Sequence, residues 1–393
     1  MAHIARAQRE QDICVFIGRF QPLHAGHMWV ILQALKLAEY LVIVIGSAHA
    51  PRRPDLNPFF SSERAVMLRR WLFSVDPNLL FRVKFIEIAD SDYDTPEWRE
   101  RVKIAVNGAA KEISDKQKSI SLIGHSKDNT SYYLKMFRPW GSINVPNNQG
   151  LSATDFRLGY FSTDQDRVED MFKRALDFEL LSKTTINWLR EFQKSDDYQD
   201  QVEELEFCLK AKAVFERESY SHSRNTVTGD ALIHQYGNVL LIKRDRRPFK
   251  GLWALPGGHL ETHETVYDCA LREGYEETGI KVPPQVFERS LVGQDYFDHP
   301  LRDPRGRYIT HTFLFNLTPQ APAPDPSKSE AENQRRVRDA LALPKVKMGG
   351  PVDEEDDAAE AKFWDTGDIT RQMMAFDHYA IIRKMLRMLP TEE

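Results

Sequence analysis

From residue 13 to 146, short apolar runs alternate with longer amphipathic ones. Residues 13–17, 41–45, 83–88, 120–123 and 143–145 are short and almost wholly apolar, which reads as buried strands. Residues 28–40, 62–73 and 102–113 carry helical patterns between them. Strand, helix and strand in repetition predict an α/β domain, a parallel sheet with helices on both faces. Ligands of such folds sit at the carboxyl ends of the strands. From 164 to 218 the chain is charged and free of strand signals, which predicts two or three helices. Strand character returns at 226–245, where Tyr236-Gly237-Asn238 separates two apolar runs, a hairpin signal. A helical run at 265–278, the strand-like THTFLFNLT and a helix over 370–389 complete a second, α+β domain. Residues 319–358 are rich in proline and charge, poor in aromatics, and read as a flexible insertion. No internal repeat is evident.

Length agrees with two domains, since 393 residues exceed one ordinary domain. The expected division is a first domain at 1–195, a helical connector at 196–224 and a second domain at 225–393. A net charge of −5 argues against a nucleic-acid binder, which carries a basic excess. Cys14, Cys208 and Cys269 are widely spaced and form neither a disulfide framework nor a zinc pattern. The opening MAHIARAQREQD has no apolar signal core, and no apolar run reaches the ~20 residues of a membrane helix. The expectation is a soluble cytoplasmic protein with small-molecule partners and no membrane or nucleic-acid partner. Oligomeric state is left open, a homo-oligomer included.

The first chemical signal is GRFQPLHAGH, which follows a strand and opens a helix. Gly18 and Gly26 permit tight turns and close approach of the backbone to a ligand. His24 and His27 stand at the helix start, where free N–H groups and the dipole favour phosphate. A lone His there is equally an ordinary helix-start residue. The whole string, with Arg19, Phe20 and Gln21, resembles the GxFxPxHxGH signature of the nucleotidylyltransferase superfamily, in its archaeal-type NMN adenylyltransferase form. LSATDFR, with Ser152, Thr154 and Arg157, is similar to that family's SxTxxR motif, and its arginine can pair with a triphosphate. NPFFSSER, with Asn57 and Arg64, parallels a family NPFTxxER stretch, from which Phe60 and Ser62 depart. Trp98 is a candidate to stack on nicotinamide, or an ordinary core residue. Gly124 and Asp128 fall where the family holds the nucleotide. The resemblance implies adenylyl transfer from ATP to NMN, giving NAD and pyrophosphate, with Mg²⁺ carried mainly by the triphosphate. Its His24, His27 and Arg157 are the expected catalytic residues. The superfamily also serves other phosphate acceptors, such as phosphopantetheine and phosphocholine.

The second signal is GHLETHETVYDCALREGYEETGI. It fits the Nudix box GX5EX7REUXEEXGU at Gly258, Glu264, Arg272, Glu273, Glu276, Glu277 and Gly279. Gly274 stands where a bulky apolar residue is usual. On a helix, 273, 276 and 277 share about 100° of arc. Carboxylates so clustered raise one another's pKa unless a cation intervenes, and hard divalent ions suit them. A solvated acidic helix is the plain alternative. The resemblance to Nudix hydrolases implies metal ligation by Glu273, Glu276 and Glu277, with Mg²⁺ or Mn²⁺, and orientation of that helix by Arg272 and Glu264. YFDHPLRDPRGRYITHTFLF resembles a segment of Nudix domains that recognise ADP-ribose. Arg302, Arg305 and Arg307 are its candidate contacts, or decorate a hairpin turn. The expected reaction yields AMP and ribose 5-phosphate. The alternatives are another nucleoside diphosphate derivative as substrate, or an ADP-ribose sensor without hydrolysis.

Overall fold

A computed structural model describes residues 11–90, 95–113, 118–124, 137, 139–146, 152–217, 225–317, 325, 327–341 and 358–390. The chain divides into two compact units, Met1–Glu206 and Phe207–Glu393, each treated by itself.

The first unit runs β1 (Gln11–Gly18), α1 (Ala25–Leu37), β2 (Ala38–Ile45), α2 (Ser61–Val75), β3 (Val83–Glu87), α3 (Thr95–Ile113), β4 (Ile120–Gly124) and β5 (Gly141–Asn144). Then come α4 (Ala153–Tyr160), α5 (Gln165–Asp177) and α6 (Lys183–Phe192), while α7 (Asp196–Arg217) contains the division between units. The five strands are parallel in the order β3-β2-β1-β4-β5. Successive residues of β1 explain its unbroken apolarity. Cys14 and Phe16 pack with Ile31 and Leu35 of α1 and Leu68 of α2, while Ile13 and Val15 pack with Val102 and Val106 of α3. Burial on both faces removes the alternation that a one-faced strand shows. Behind the sheet's motifs, Phe156, Tyr160, Phe172, Trp188 and Tyr198 form a separate aromatic core that also receives Phe59.

The expected helix at 28–40 ends early, at Leu37. Ala38 takes an extended conformation and the chain enters β2 with no loop, because pairing of Tyr40 with Ile13 of β1 outweighs local helical pattern. The helix expected at 102–113 starts instead at Thr95.

The second unit contains β6 (Thr226–Gln235), β7 (Asn238–Arg244), β8 (Trp253–Ala254), β9 (Gly257–His259), α8 (Val266–Thr278), α9 (Pro284–Ser290) and β10 (Leu291–Phe297). β11 (Tyr308–Asn316), α10 (Glu330–Leu341), β12 (Ala358–Asp365) and α11 (His378–Met385) follow. The mixed sheet has the order β10-β11-β6-β7-β12, with β8 on β7 and β9 on β6. The hairpin closes through Tyr236 and Gly237, both at positive φ, between Gln235 and Asn238. Odd positions of β6 face α8, and a Cβ on Gly229 would lie 2.6 Å from the Val266 carbonyl oxygen. Even positions face the other way.

Two expectations need correction. The 319–358 stretch holds a helix, α10, and its last residue begins β12; most of the rest lies outside the described residues. The expected C-terminal helix at 370–389 is broken. The Ala375 N–H donates to the Trp253 carbonyl (2.8 Å), Phe376 turns to φ 51°, and only His378–Met385 is α-helical.

Candidate active sites

The strand order reverses at β1, with β2 on one side and β4 on the other, so a crevice opens at their carboxyl ends. Gly18 ends β1 and Gly124 ends β4. A Cβ on Gly18 would lie 2.9 Å from the Phe20 ring, so the missing side chain serves this chain's own packing. Phe20 itself is buried at φ 53° and belongs to the core. His24 is the N-cap of α1 but makes no side-chain cap, and Gly26 and His27 lie in the first turn. The two imidazoles stand 3.7 Å apart between centroids, half-buried at the helix's positive end.

Several residues expected at the nucleotide turn inward. Arg64 is 1% exposed and donates to the carbonyls of Arg19, Gly46, Ser47 and Phe60. Arg157 is 5% exposed and donates to the carbonyls of Asp55 and Gln21 and to Thr154 Oγ1. Gln21 and the Phe59 main chain exchange two hydrogen bonds. These side chains knit residues 18–21 to 46–60. In this arrangement the side chains of Arg64, Gln21 and Arg157 hold the loop, and Phe20 packs in the core. Burial, joined by repulsion from the exposed Arg19, pushes both arginines down to about 10. Three cations thus converge on one loop, a field that favours an anion.

Asn57 keeps a buried Oδ1 without a hydrogen-bond partner among the described residues. Trp98 is half-buried on α3 against Phe137, at 5.8 Å, and its Nε1 has no partner among the described residues. Ser152 caps α4 by accepting from Asp155 N–H (3.3 Å), and Thr154 is exposed. Asp128 lies outside the described residues. The reading of the sequence missed Ser47 and Asp90, which follow β2 and β3 and hydrogen-bond each other. A small polar pair after two strand ends is the only signal they carry.

In the second unit Thr265 and Asp268 form a capping box at the start of α8, and Gly279 closes its end at φ 58°. Arg272 binds Glu264 (2.8 Å), Glu273 (2.9 Å) and Glu276 (3.0 Å), and donates to the His259 carbonyl. Its hydrogen bonds push Glu264 down to about 2. Burial raises Glu273, with smaller upward pushes from Glu276 and Glu264. Glu277 is buried and accepts from the Gly257 N–H (2.9 Å). Gly258 faces Glu273 so closely that any side chain would collide with the carboxylate. Gly274 lies on β6, 3.6 Å from the Ala231 Cβ when given a Cβ of its own.

Among the described residues no three acidic, His or Cys side chains group closely enough to hold a metal ion. The guanidinium of Arg272 holds two of the carboxylates as a stand-in cation. The donor set nevertheless fits a hard divalent ion, being carboxylate oxygens from one helix turn beside the main chain of Gly257 and Gly258.

A polar cavity is lined by Asp230, Gly257, Gly258, Arg302, Arg305 and His378, among others. Arg302 forms a buried two-point pair with Asp377 (2.9 and 3.0 Å), and Arg305 binds Asp303 (2.7 Å). Arg307 pairs with Asp298 outside this lining. Sequence reasoning missed Asp230, Asp377 and His378. A charged residue inside the apolar run of β6 was the available sign of the first.

Two family models match: "Cytidylyltransferase-like" over residues 15–158 and "NUDIX domain" over 226–384. The nicotinamide/nicotinic acid mononucleotide adenylyltransferase of Acinetobacter baylyi is 36% identical over 188 residues, 48% of this chain and 89% of that protein. The ADP-ribose pyrophosphatase of Methanocaldococcus jannaschii is 35% identical over 161 residues, 41% of this chain and 73% of that protein. A bifunctional NMN adenylyltransferase/ADP ribose pyrophosphatase from Francisella tularensis superposes with a TM-score of 0.77 at 30% identity. The match covers 96% of this chain and 99% of that one. The Francisella enzyme has also been solved with AMP and a manganese ion.

Proposed function

We propose two activities for this chain, which belongs to the family of bifunctional NMN adenylyltransferase/ADP-ribose pyrophosphatases. The first unit transfers the adenylyl group of ATP to NMN, giving NAD and pyrophosphate. The second hydrolyses ADP-ribose to AMP and ribose 5-phosphate. Both act on small molecules of NAD metabolism. The observation that carries the reading is the opposite charge of the two sites. Cations and a helix N-terminus converge on the first, while glutamates line one helix face at the second.

In the first reaction an oxygen of the NMN phosphate attacks the α-phosphorus of ATP. The bond to the bridging oxygen breaks, and pyrophosphate leaves with the electron pair. His24 and His27 donate hydrogen bonds to the phosphoryl oxygens as their charge grows, and Arg19 balances the triphosphate. Asn57, Ser152, Thr154 and Trp98 orient the nucleotides around Gly124. Arg64, Arg157 and Gln21 act one step back, by fixing the loop that carries the histidines. Nicotinic acid mononucleotide, in the name of the Acinetobacter relative, is the second acceptor to try.

In the second reaction water attacks one phosphorus of the diphosphate, and the bridging P–O bond breaks. A divalent ion, Mg²⁺ or Mn²⁺, held by Glu273, Glu276 and Glu277, would neutralise the diphosphate and acidify the attacking water. Glu277 is fixed by Gly257, and Glu264 fixes Arg272, so the helix face is held in place before substrate arrives. The intact glutamates favour hydrolysis over a sensor role.

The test is to supply the protein with Mg²⁺ and either ATP plus NMN or ADP-ribose, and resolve products by chromatography. NAD from the first and metal-dependent AMP from the second are expected. Binding of ADP-ribose without AMP release would replace the hydrolase by a sensor.

A further inference from the structure

Alternation along β6 turns Thr228 and Asp230 away from α8 and into the cavity. Asp230 is 4% exposed, and its Oδ2 has no hydrogen-bond partner among the described residues. A buried acceptor left without a partner is costly, so it persists where something else satisfies it. Gly257 leaves it room, since any Cβ there would collide with the Asp230 carboxylate.

His378 lines the same cavity from the start of α11. Its Nδ1 accepts the Leu255 N–H (2.9 Å), which fixes the tautomer and puts the ring proton on Nε2. Burial drives its pKa down to about 3, so the ring is a neutral donor at physiological pH. Two residues earlier, Phe376 holds a left-handed φ of 51°, an uncommon conformation for a bulky side chain, and it also lines the cavity. Arg302 and Arg305, which would otherwise attract phosphate, are each bound to an aspartate. Arg244 donates to the Pro248 carbonyl, and beside it the lining offers the Asp230 acceptor, the His378 donor, the Thr228 hydroxyl and the rings of His259, Tyr308 and Phe376, next to Gly257 and Gly258.

We propose that Asp230 and His378 read the hydroxyl groups of the sugar on the far side of the substrate's diphosphate. Asp230 accepts from a hydroxyl and the Nε2–H of His378 donates to one. This rests on the hydrolase reading above and adds the residues that select its substrate.

Two substitutions at 378 separate recognition from support. His378→Asn keeps an acceptor near the position of Nδ1 but loses the Nε2 donor. His378→Gln places a donor near Nε2 but loses the bond from Leu255. With Asp230→Asn and the unaltered protein, each is assayed on ADP-ribose and on the methyl ester of ADP, which has the diphosphate without the sugar. Thermal unfolding reports on folding. The expected result is a ratio of kcat/KM, ADP-ribose over methyl ester, that falls about tenfold in His378→Asn and in Asp230→Asn, chiefly through KM. His378→Gln keeps more of that ratio than His378→Asn. An unchanged ratio in both His378→Asn and Asp230→Asn overturns the proposal, whether or not overall rates fall. An unaltered protein that hydrolyses neither compound overturns the hydrolase reading instead.

Discussion

Gly229 sets where the catalytic helix of the second unit sits. A Cβ at this position would lie 2.6 Å from the Val266 carbonyl oxygen and 3.1 Å from the Ala270 nitrogen. Both are main-chain atoms of α8, so no side-chain rotation relieves the clash. Ordinary contact begins at 3.4 Å, so strand and helix must part by several tenths of an ångström. Glu273 and Glu277 ride on that helix, with Glu273 against Gly258 and Glu277 on the Gly257 N–H. Overpacking of this kind costs roughly 1–3 kcal/mol. A misplacement near 1 Å lowers turnover by about 10²-fold. Gly229→Ala is therefore expected to cut ADP-ribose hydrolysis by about two orders of magnitude while the protein remains folded. Gly274→Ala is the control, because its Cβ finds only ordinary contact at 3.6 Å. It should raise stability by about 1 kcal/mol through helix propensity and leave hydrolysis near its starting rate. Steady-state kinetics and urea denaturation of both variants decide the matter. Full hydrolysis by Gly229→Ala, or loss of it in Gly274→Ala, would refute this account of how α8 is seated.

Arg64→Lys removes a planar fork that reaches four carbonyls, and should lower stability by about 1–3 kcal/mol along with adenylyl transfer; lost transfer at unchanged denaturation midpoint would instead make Arg64 a substrate contact. Glu264 is held near 2 by Arg272, below its ordinary 4.5, so its stabilisation is present above pH 4.5 and is lost as pH falls toward 2. Denaturation curves of the unaltered protein and Glu264→Gln should accordingly converge over that window, and a constant gap would count against the pair. His378 is likewise depressed, from 6.5 to about 3, so its neutral burial favours folding above pH 6.5 and this contribution declines as pH falls toward 3. His378→Asn should flatten the acid loss of stability between those limits, as read by denaturation against pH.

The sheet of the first unit was legible because both faces of β1, β2 and β4 are buried, which leaves uninterrupted apolar runs. The Nudix helix was legible for the opposite reason, since its chemistry lies in one continuous stretch from Gly258 to Gly279. β10 was not, because it is a mostly exposed edge strand with little apolar pattern. The break before α11 was hidden too. It depends on Ala375 reaching Trp253 and on Asp377 reaching Arg302, contacts between residues far apart in the chain. The same distance hides the internal partners of two motif residues. Motif arginines 64 and 157 look like anion ligands in sequence, yet their partners are carbonyls brought up by other loops. Asp230 and His378 belong to no motif and meet only through the fold.

The central claim is that one chain carries two separate phosphate chemistries. It is tested most directly by assaying His27→Ala and Glu277→Gln for both reactions. Gln can still accept the Gly257 N–H that Glu277 accepts, so the second change removes charge while sparing that contact. The account predicts that His27→Ala loses NAD formation by about 10²–10³-fold and keeps AMP release from ADP-ribose. Glu277→Gln should do the reverse. Loss of both activities in either folded variant would contradict it.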